Sequence, residues 1–135
     1  MGWDEFYMRF ARAVAEQSKA DKRKVGAVLV KGDNIISFGY NGTVSGDDNG
    51  CEDILGDTLP NVIHAEHNAI LKAAKSTIST TDSTLYVTCR PCERCAPIVV
   101  TAGISRVVFD FDIECDWMPV RYMRSKGIVV DTIGL

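Results

Sequence analysis

Two short segments hold the side chains best suited to chemistry: His64-Ala65-Glu66, and Pro91-Cys92-Glu93-Arg94-Cys95. Cys92 and Cys95 stand three apart, so a helix beginning there presents both on one face. The free N–H groups and positive dipole end of a helix N-terminus favour thiolate. Thiolates with a neutral imidazole suit Zn²⁺. Two Cys and one His make three ligands and leave the fourth position to water, the catalytic rather than the structural arrangement. Two thiolates also cancel the formal charge of the ion and weaken its pull on that water, so a nearby base is useful. Glu66, two residues past His64, is placed to reach over the metal toward the water rather than to ligate.

Taken singly, each piece has an ordinary reading. A Cys-x-x-Cys pair also occurs as a redox motif or as half of a structural zinc site. Cys51, Cys89 and Cys115 are spare thiols available as a fourth ligand. The conjunction is more specific: His-x-Glu opens one expected helix, Pro-Cys-x-x-Cys opens the next, and a strand separates them. Glu66-His67 is not part of an H-E-x-x-H zinc motif, since positions 70 and 71 are Ile and Leu. His67 reads as a surface or packing residue.

The elements that must position these groups follow from periodicity. An amphipathic helix is expected from Trp3 to about Lys19. Val25–Val30 and Ile35–Tyr40, joined by a Lys31-Gly32-Asp33-Asn34 turn, read as a β-hairpin. Asn41 to Pro60 reads as a long loop rich in Gly, Asp and Asn, and loops of that length are often functional. A helix over 65–74, a strand over 85–88, a helix from about Glu93 to Ala102 stopped by Gly103, and a strand over 105–109 come next. A helix over Pro119–Ser125 stopped by Gly127 and a strand over Ile128–Asp131 complete the order α-β-β-α-β-α-β-α-β. The expectation is an α/β fold: a three-layer α-β-α sandwich around a mixed five-stranded sheet, with an antiparallel first hairpin and the remaining strands parallel.

Bulk properties narrow the function class. The 135 residues fit a single domain, 1–135. The net charge of −3 provides no general basic excess for gripping a nucleic acid, which favours a small ligand. No apolar run reaches the roughly 18 residues of a membrane span. The opening Met1-Gly2-Trp3-Asp4-Glu5 has no basic leader. The expected location is therefore the cytoplasm, where five cysteines are metal ligands or free thiols rather than disulfides.

H-x-E followed by P-C-x-x-C is the signature of the zinc deaminases, and on it the sequence resembles the zinc-dependent cytidine/deoxycytidylate deaminase superfamily. Within that group it is similar to the deoxycytidylate (dCMP) deaminase family over nearly its whole length. The similarity runs through Trp3–Met8, Lys24–Val28, Gly39-Tyr40-Asn41-Gly42-Thr43, Ser45-Gly46 with Asn49-Gly50-Cys51-Glu52, and His64–Ile70. One departure is Cys89-Arg90-Pro91-Cys92, where many relatives carry Ser or Thr before Pro-Cys. Some relatives hold a second, structural zinc near the long loop, but Cys51 lacks a matching His set and none is expected here.

The resemblance implies hydrolysis of dCMP to dUMP and ammonia, supplying dUMP for thymidylate synthesis, with Zn²⁺ on His64, Cys92 and Cys95 and Glu66 as the catalytic residue. It implies substrate contacts from Asn41 and Ala65, although Asn41-Gly42 is equally a plain turn. Lys22, Arg23, Lys24 and Arg121 are candidates for the 5′-phosphate, and solvated surface charge is the expectation for at least two of the four. Tyr122 reads either as a neighbour of the substrate or as a core residue. Relatives are commonly hexamers activated by dCTP with Mg²⁺ and inhibited by dTTP. That places candidate effector contacts at Gly42, Ser45, Asp48 and Asn49; Arg124 and Lys126 are separate candidates for an interface.

Three other readings remain. A tRNA adenosine deaminase would want a basic surface. A deaminase of a free nucleoside or base such as cytidine or guanine is the second, and free cytidine deaminases usually lack a helix between the last two strands, for which residues 116–125 leave room. A zinc-stabilised binding module would place a fourth protein sulfur on the ion.

Overall fold

Near-continuous apolar runs in the central strands, whose successive side chains point to opposite faces, require cover on both faces of a sheet. The computed structural model describes residues 2–21, 23–43, 50–52, 55, 62–112 and 116–134. The elements are α1 (Trp3–Ala15), β1 (Gly26–Lys31), β2 (Asn34–Tyr40), α2 (Ala65–Ala74), β3 (Thr84–Val87), α3 (Cys95–Thr101), β4 (Arg106–Asp110), α4 (Met118–Ser125) and β5 (Val129–Ile133). The sheet order is β2-β1-β3-β4-β5. β1 is antiparallel to both β2 and β3. β3, β4 and β5 run parallel to one another. The expected mixed sheet is thus found, with α4 between the last two strands.

The two faces of the sheet carry different cores. Val28, Val30, Tyr86 and Val108 meet Tyr7, Met8, Ala11 and Val14 of α1. On the opposite face Leu29, Leu85, Val87, Val107 and Phe109 meet the alanines of α2, Val99 of α3, and Val120 and Met123 of α4. Polar ties hold α1 in place. Arg106 donates two hydrogen bonds to Asp4, at 2.8 and 2.7 Å, and a third to Asp131 at 2.9 Å. The Tyr86 hydroxyl donates to Asp4 at 2.7 Å. Together these groups join α1 to β3, β4 and β5.

Several boundaries differ from the sequence expectation. α1 ends at Ala15 rather than near Lys19. Past that point the backbone tightens into i→i−3 bonds from Glu16, Gln17 and Ser18. Ser18 Oγ then donates to the Asn41 carbonyl at 2.7 Å and accepts the Ala20 N–H, so its hydroxyl competes with continuation of the helix. α3 begins at Cys95, two residues later than expected, because Cys92 lies in a turn whose carbonyl accepts the N–H groups of Cys95 and Ala96. β5 runs on to Ile133 because Asp131, Thr132 and Ile133 pair with β4. No helix is long and apolar enough to cross a membrane among the described residues.

The packing that matters for the site is that of α2 on β2. Ala65, Ala69 and Ala73 are buried small residues along one face of α2. On β2, a Cβ added to Gly39 would lie 2.6 Å from Ala69 N, 2.7 Å from Asn68 Cβ and 2.9 Å from Ala65 O. Ser37 Oγ donates to the Ala69 carbonyl and Asn68 Nδ2 to the Tyr40 carbonyl, both at 2.6 Å. Gly39→Ala should therefore push α2 off the sheet, lowering unfolding free energy by about 1–3 kcal/mol, as overpacking does. Urea denaturation of the wild type and the variant measures the difference, and equal midpoints would contradict the close approach.

Candidate active site

His64 immediately precedes α2, in extended conformation (φ −67°, ψ 155°) as its N-cap. This conformation turns its ring toward the loop that follows β3. His64 Nδ1 lies 3.2 Å from Cys95 Sγ and 3.6 Å from Cys92 Sγ, and the two sulfurs are 3.4 Å apart. Three donors bonded to one tetrahedral zinc would be separated by about 3.5–3.8 Å, given metal distances of about 2.0–2.3 Å. The triangle is slightly tighter than that, so the residues fit the ion with a small outward movement of each sulfur. Among the described residues these three form the group that could hold a metal ion. Cys89 and Cys51 are outside it, and Cys115 lies outside the described residues. The set is therefore three donors with room for a fourth, the arrangement expected of a catalytic metal.

The thiols are prepared for this role. Hydrogen bonding from Cys95, then from His64 and the backbone N–H groups of Cys95 and Arg94, holds Cys92 well below the ordinary thiol range. Cys95, facing that developing thiolate and buried, is held protonated in the absence of an ion. His64 is raised, chiefly by its hydrogen bond to Cys92. Cys92 is thus the readier thiolate of the pair, and a divalent cation favours loss of the second thiol proton.

Glu66 is 4% exposed, an unusual burial for a carboxyl group. Burial raises its pKa to about 7, opposed by hydrogen bonding to Cys95 and the charge of His64. A carboxyl group poised near neutrality can both take and give a proton, as general acid–base work requires. His67 stacks on His64 with ring centroids 5.6 Å apart, and its Nε2 is buried without a partner among the described residues. Burial first, then the nearby His64, lowers its pKa, so it packs as a neutral ring.

A cavity of about 250 Å³ opens onto Glu66, His64 and Cys92. Of the substrate contacts suggested by the sequence, Asn41, Ala65 and Arg23 line it. Asn41 also braces the wall: its Oδ1 accepts the Val25 N–H at 2.9 Å and its Nδ2 donates to the Arg23 carbonyl at 2.8 Å. One amide hydrogen and one lone pair remain. Arg23 is exposed and donates through Nη1 to Cys89 Sγ at 3.1 Å. Lys24 does not line this cavity but belongs to a neighbouring one. Arg121 and Tyr122 are exposed on α4 and line neither.

Gly42 pairs with Ile63 through two backbone hydrogen bonds, at 3.1 and 2.8 Å, and pinches the base of the long loop just before His64. Lys22, Ser45, Asp48 and Asn49 lie outside the described residues. Arg90, Cys89 and Glu52 also line the cavity, and the motif reading did not single out Arg90. The available signal was its position: a cation directly ahead of Pro-Cys-x-x-Cys must travel with the metal-binding turn.

Comparisons with known proteins agree with this geometry. Residues 1–111 match the family model described as the cytidine and deoxycytidylate deaminase zinc-binding region. ComE operon protein 2 of Bacillus subtilis is 30% identical over 100% of this chain and 73% of its own length. The deoxycytidylate deaminase of Saccharomyces cerevisiae is 33% identical over 95% of this chain, which spans 44% of that protein. The crystal structure of dCMP deaminase from the cyanophage S-TIM5, in complex with dCMP and dUMP, superposes with a TM-score of 0.92 at 35% identity, covering 97% of this chain and 96% of that one. With the family's zinc-binding region matched and its donor set assembled around a buried glutamate, the chain belongs to the cytidine and deoxycytidylate deaminase family and is a deaminase enzyme.

Proposed function

We propose that this chain hydrolyses dCMP to dUMP and ammonia. The observation that carries the reading is Glu66: a buried carboxyl group whose pKa burial raises to about 7, beside an open three-donor metal set in a cavity of about 250 Å³. The likeness to deoxycytidylate deaminases, one of them bound to dCMP and dUMP, supports the choice of substrate.

His64, Cys92 and Cys95 would hold Zn²⁺, which as a Lewis acid would make water a competent nucleophile near neutral pH. Glu66 takes a proton from the attacking water and delivers it to N3 of the cytosine as oxygen bonds to C4. Glu66 then carries the second proton to the departing amino group, the C4–N bond breaks, and ammonia leaves. The same carboxyl group works first as base and then as acid, which suits a pKa near 7. Arg23 and Arg90, on the wall of the cavity, hold the 5′-phosphate. The remaining amide hydrogen and lone pair of Asn41 and the backbone at Ala65 are placed for the sugar or base.

The resemblance extends the proposal to regulation: activation by dCTP with Mg²⁺, inhibition by dTTP, and a homo-oligomer of six copies. Gly42, Ser45, Asp48 and Asn49 are the effector contacts under this reading, with Arg124 and Lys126 at subunit contacts. The dUMP released supplies thymidylate synthesis in the cytoplasm.

Conversion of dCMP to dUMP, followed with and without dCTP and Mg²⁺, should fall by about a hundredfold to ten-thousandfold in Glu66→Gln, the range general acid–base catalysis contributes. Zinc content should be unchanged. A fully active variant would remove Glu66 from the mechanism. Arg90→Ala should raise KM for dCMP by about tenfold to a hundredfold, the worth of a charge-assisted hydrogen bond, while leaving kcat/KM for deoxycytidine nearly unchanged. Equal losses on both substrates would remove Arg90 from the phosphate.

A further inference from the structure

A second cavity, of about 410 Å³, shares Arg23, Cys89 and Arg90 with the one over Glu66. Its other walls are Lys24, Thr88 and residues 110–112. Thr88 directly follows β3 and Asp110 closes β4, so the cavity sits at the carboxyl ends of two neighbouring parallel strands. Ligands of open α/β sheets are bound at such ends.

The balance of charge around it is uneven. Arg9, Arg12 and Arg106 make the ion pairs among the described residues. Arg23, Lys24 and Arg90 take part in none of these. Against them stand two acids, and Asp110 is already neutralised: Arg12 donates to its two oxygens at 3.1 and 2.6 Å. Asp112 is the second acid of the wall. Three cations line one concave surface against two acids, one of which is already paired with Arg12, which makes it a site for an anion. Two of those cations, Arg23 and Arg90, also line the substrate cavity, so the two cavities adjoin along them.

We propose that the second cavity receives the terminal phosphate of a pyrimidine deoxynucleoside 5′-diphosphate whose base stands over Glu66. Lys24 is its own cation, and Arg23 and Arg90 are shared between the two phosphates. This rests on the proposed deamination of dCMP, and it makes the chain a binder of dCDP as well as dCMP.

The test uses zinc-loaded protein with deoxycytidine, dCMP and dCDP, measuring KM where a compound is converted and Ki where it only competes. Affinity for dCDP should equal or exceed that for dCMP. In Lys24→Ala the ratio of dCDP to dCMP affinity should fall about tenfold, with circular dichroism confirming that the variant is folded. Binding of dCDP more than tenfold weaker than dCMP, or a ratio untouched by Lys24→Ala, would overturn the inference. Inorganic phosphate that binds alongside dCMP through Lys24 while dCDP is refused would make the cavity a site for a free anion and overturn it equally. Failure of the deamination itself would show separately, as absence of dCMP turnover in the wild type.

Discussion

The close approach of α2 to the sheet is the constraint on which the site depends. Gly39 removes a side chain at the point where the helix backbone comes nearest, and Ala65, Ala69 and Ala73 keep the helix face shallow. Only at that distance does the N-terminal end of α2 bring His64 Nδ1 to 3.2 Å from a sulfur thirty-one residues later in the chain. A larger residue in this seam would shift the imidazole and the Glu66 carboxyl group together, because both are carried by the first turn of one helix. The metal donors and the acid–base group are thus set by one packing contact rather than by separate loops.

The same depth governs the electrostatics. Burying Glu66 raises its pKa toward neutrality, and the first turn of α2 keeps it beside the donor set, where its burial limits screening by solvent. The cations lie farther out, on the segments flanking β1 and β3. Charge is therefore layered: thiolates and carboxyl group within, arginines and a lysine around the mouth. A nucleotide matches that order, with an apolar-faced base inside and phosphate outside.

Much of this was legible in the residues. The 65–74 helix has the bounds expected from its pattern, and the hairpin, the parallel strands and the α4 helix follow from alternation and from Gly103 and Gly127 as stops. The donor triad was readable because His-x-Glu and Pro-Cys-x-x-Cys fix both residue type and spacing. Features that depend on long-range contact were not. The end of α1 is decided by Ser18 reaching Asn41, and the start of α3 by the Cys92 carbonyl. The cationic wall was only partly readable, since exposure alone does not say which cavity a side chain faces: Arg23 reached the substrate cavity, Lys24 its neighbour, and Arg121 neither. Arg90 stands between the 85–88 strand and the Pro-Cys-x-x-Cys motif, where no pattern of residues marks it as facing the cavity.

The central claim is an open, three-donor zinc site, and X-ray absorption at the zinc edge of the metal-loaded protein tests it most directly. The account predicts one zinc per chain with two sulfurs at about 2.3 Å and a remaining shell of nitrogen and oxygen at about 2.0–2.1 Å. A shell of three or four sulfurs would close the site with Cys89, Cys51 or Cys115, and would make the metal structural rather than catalytic.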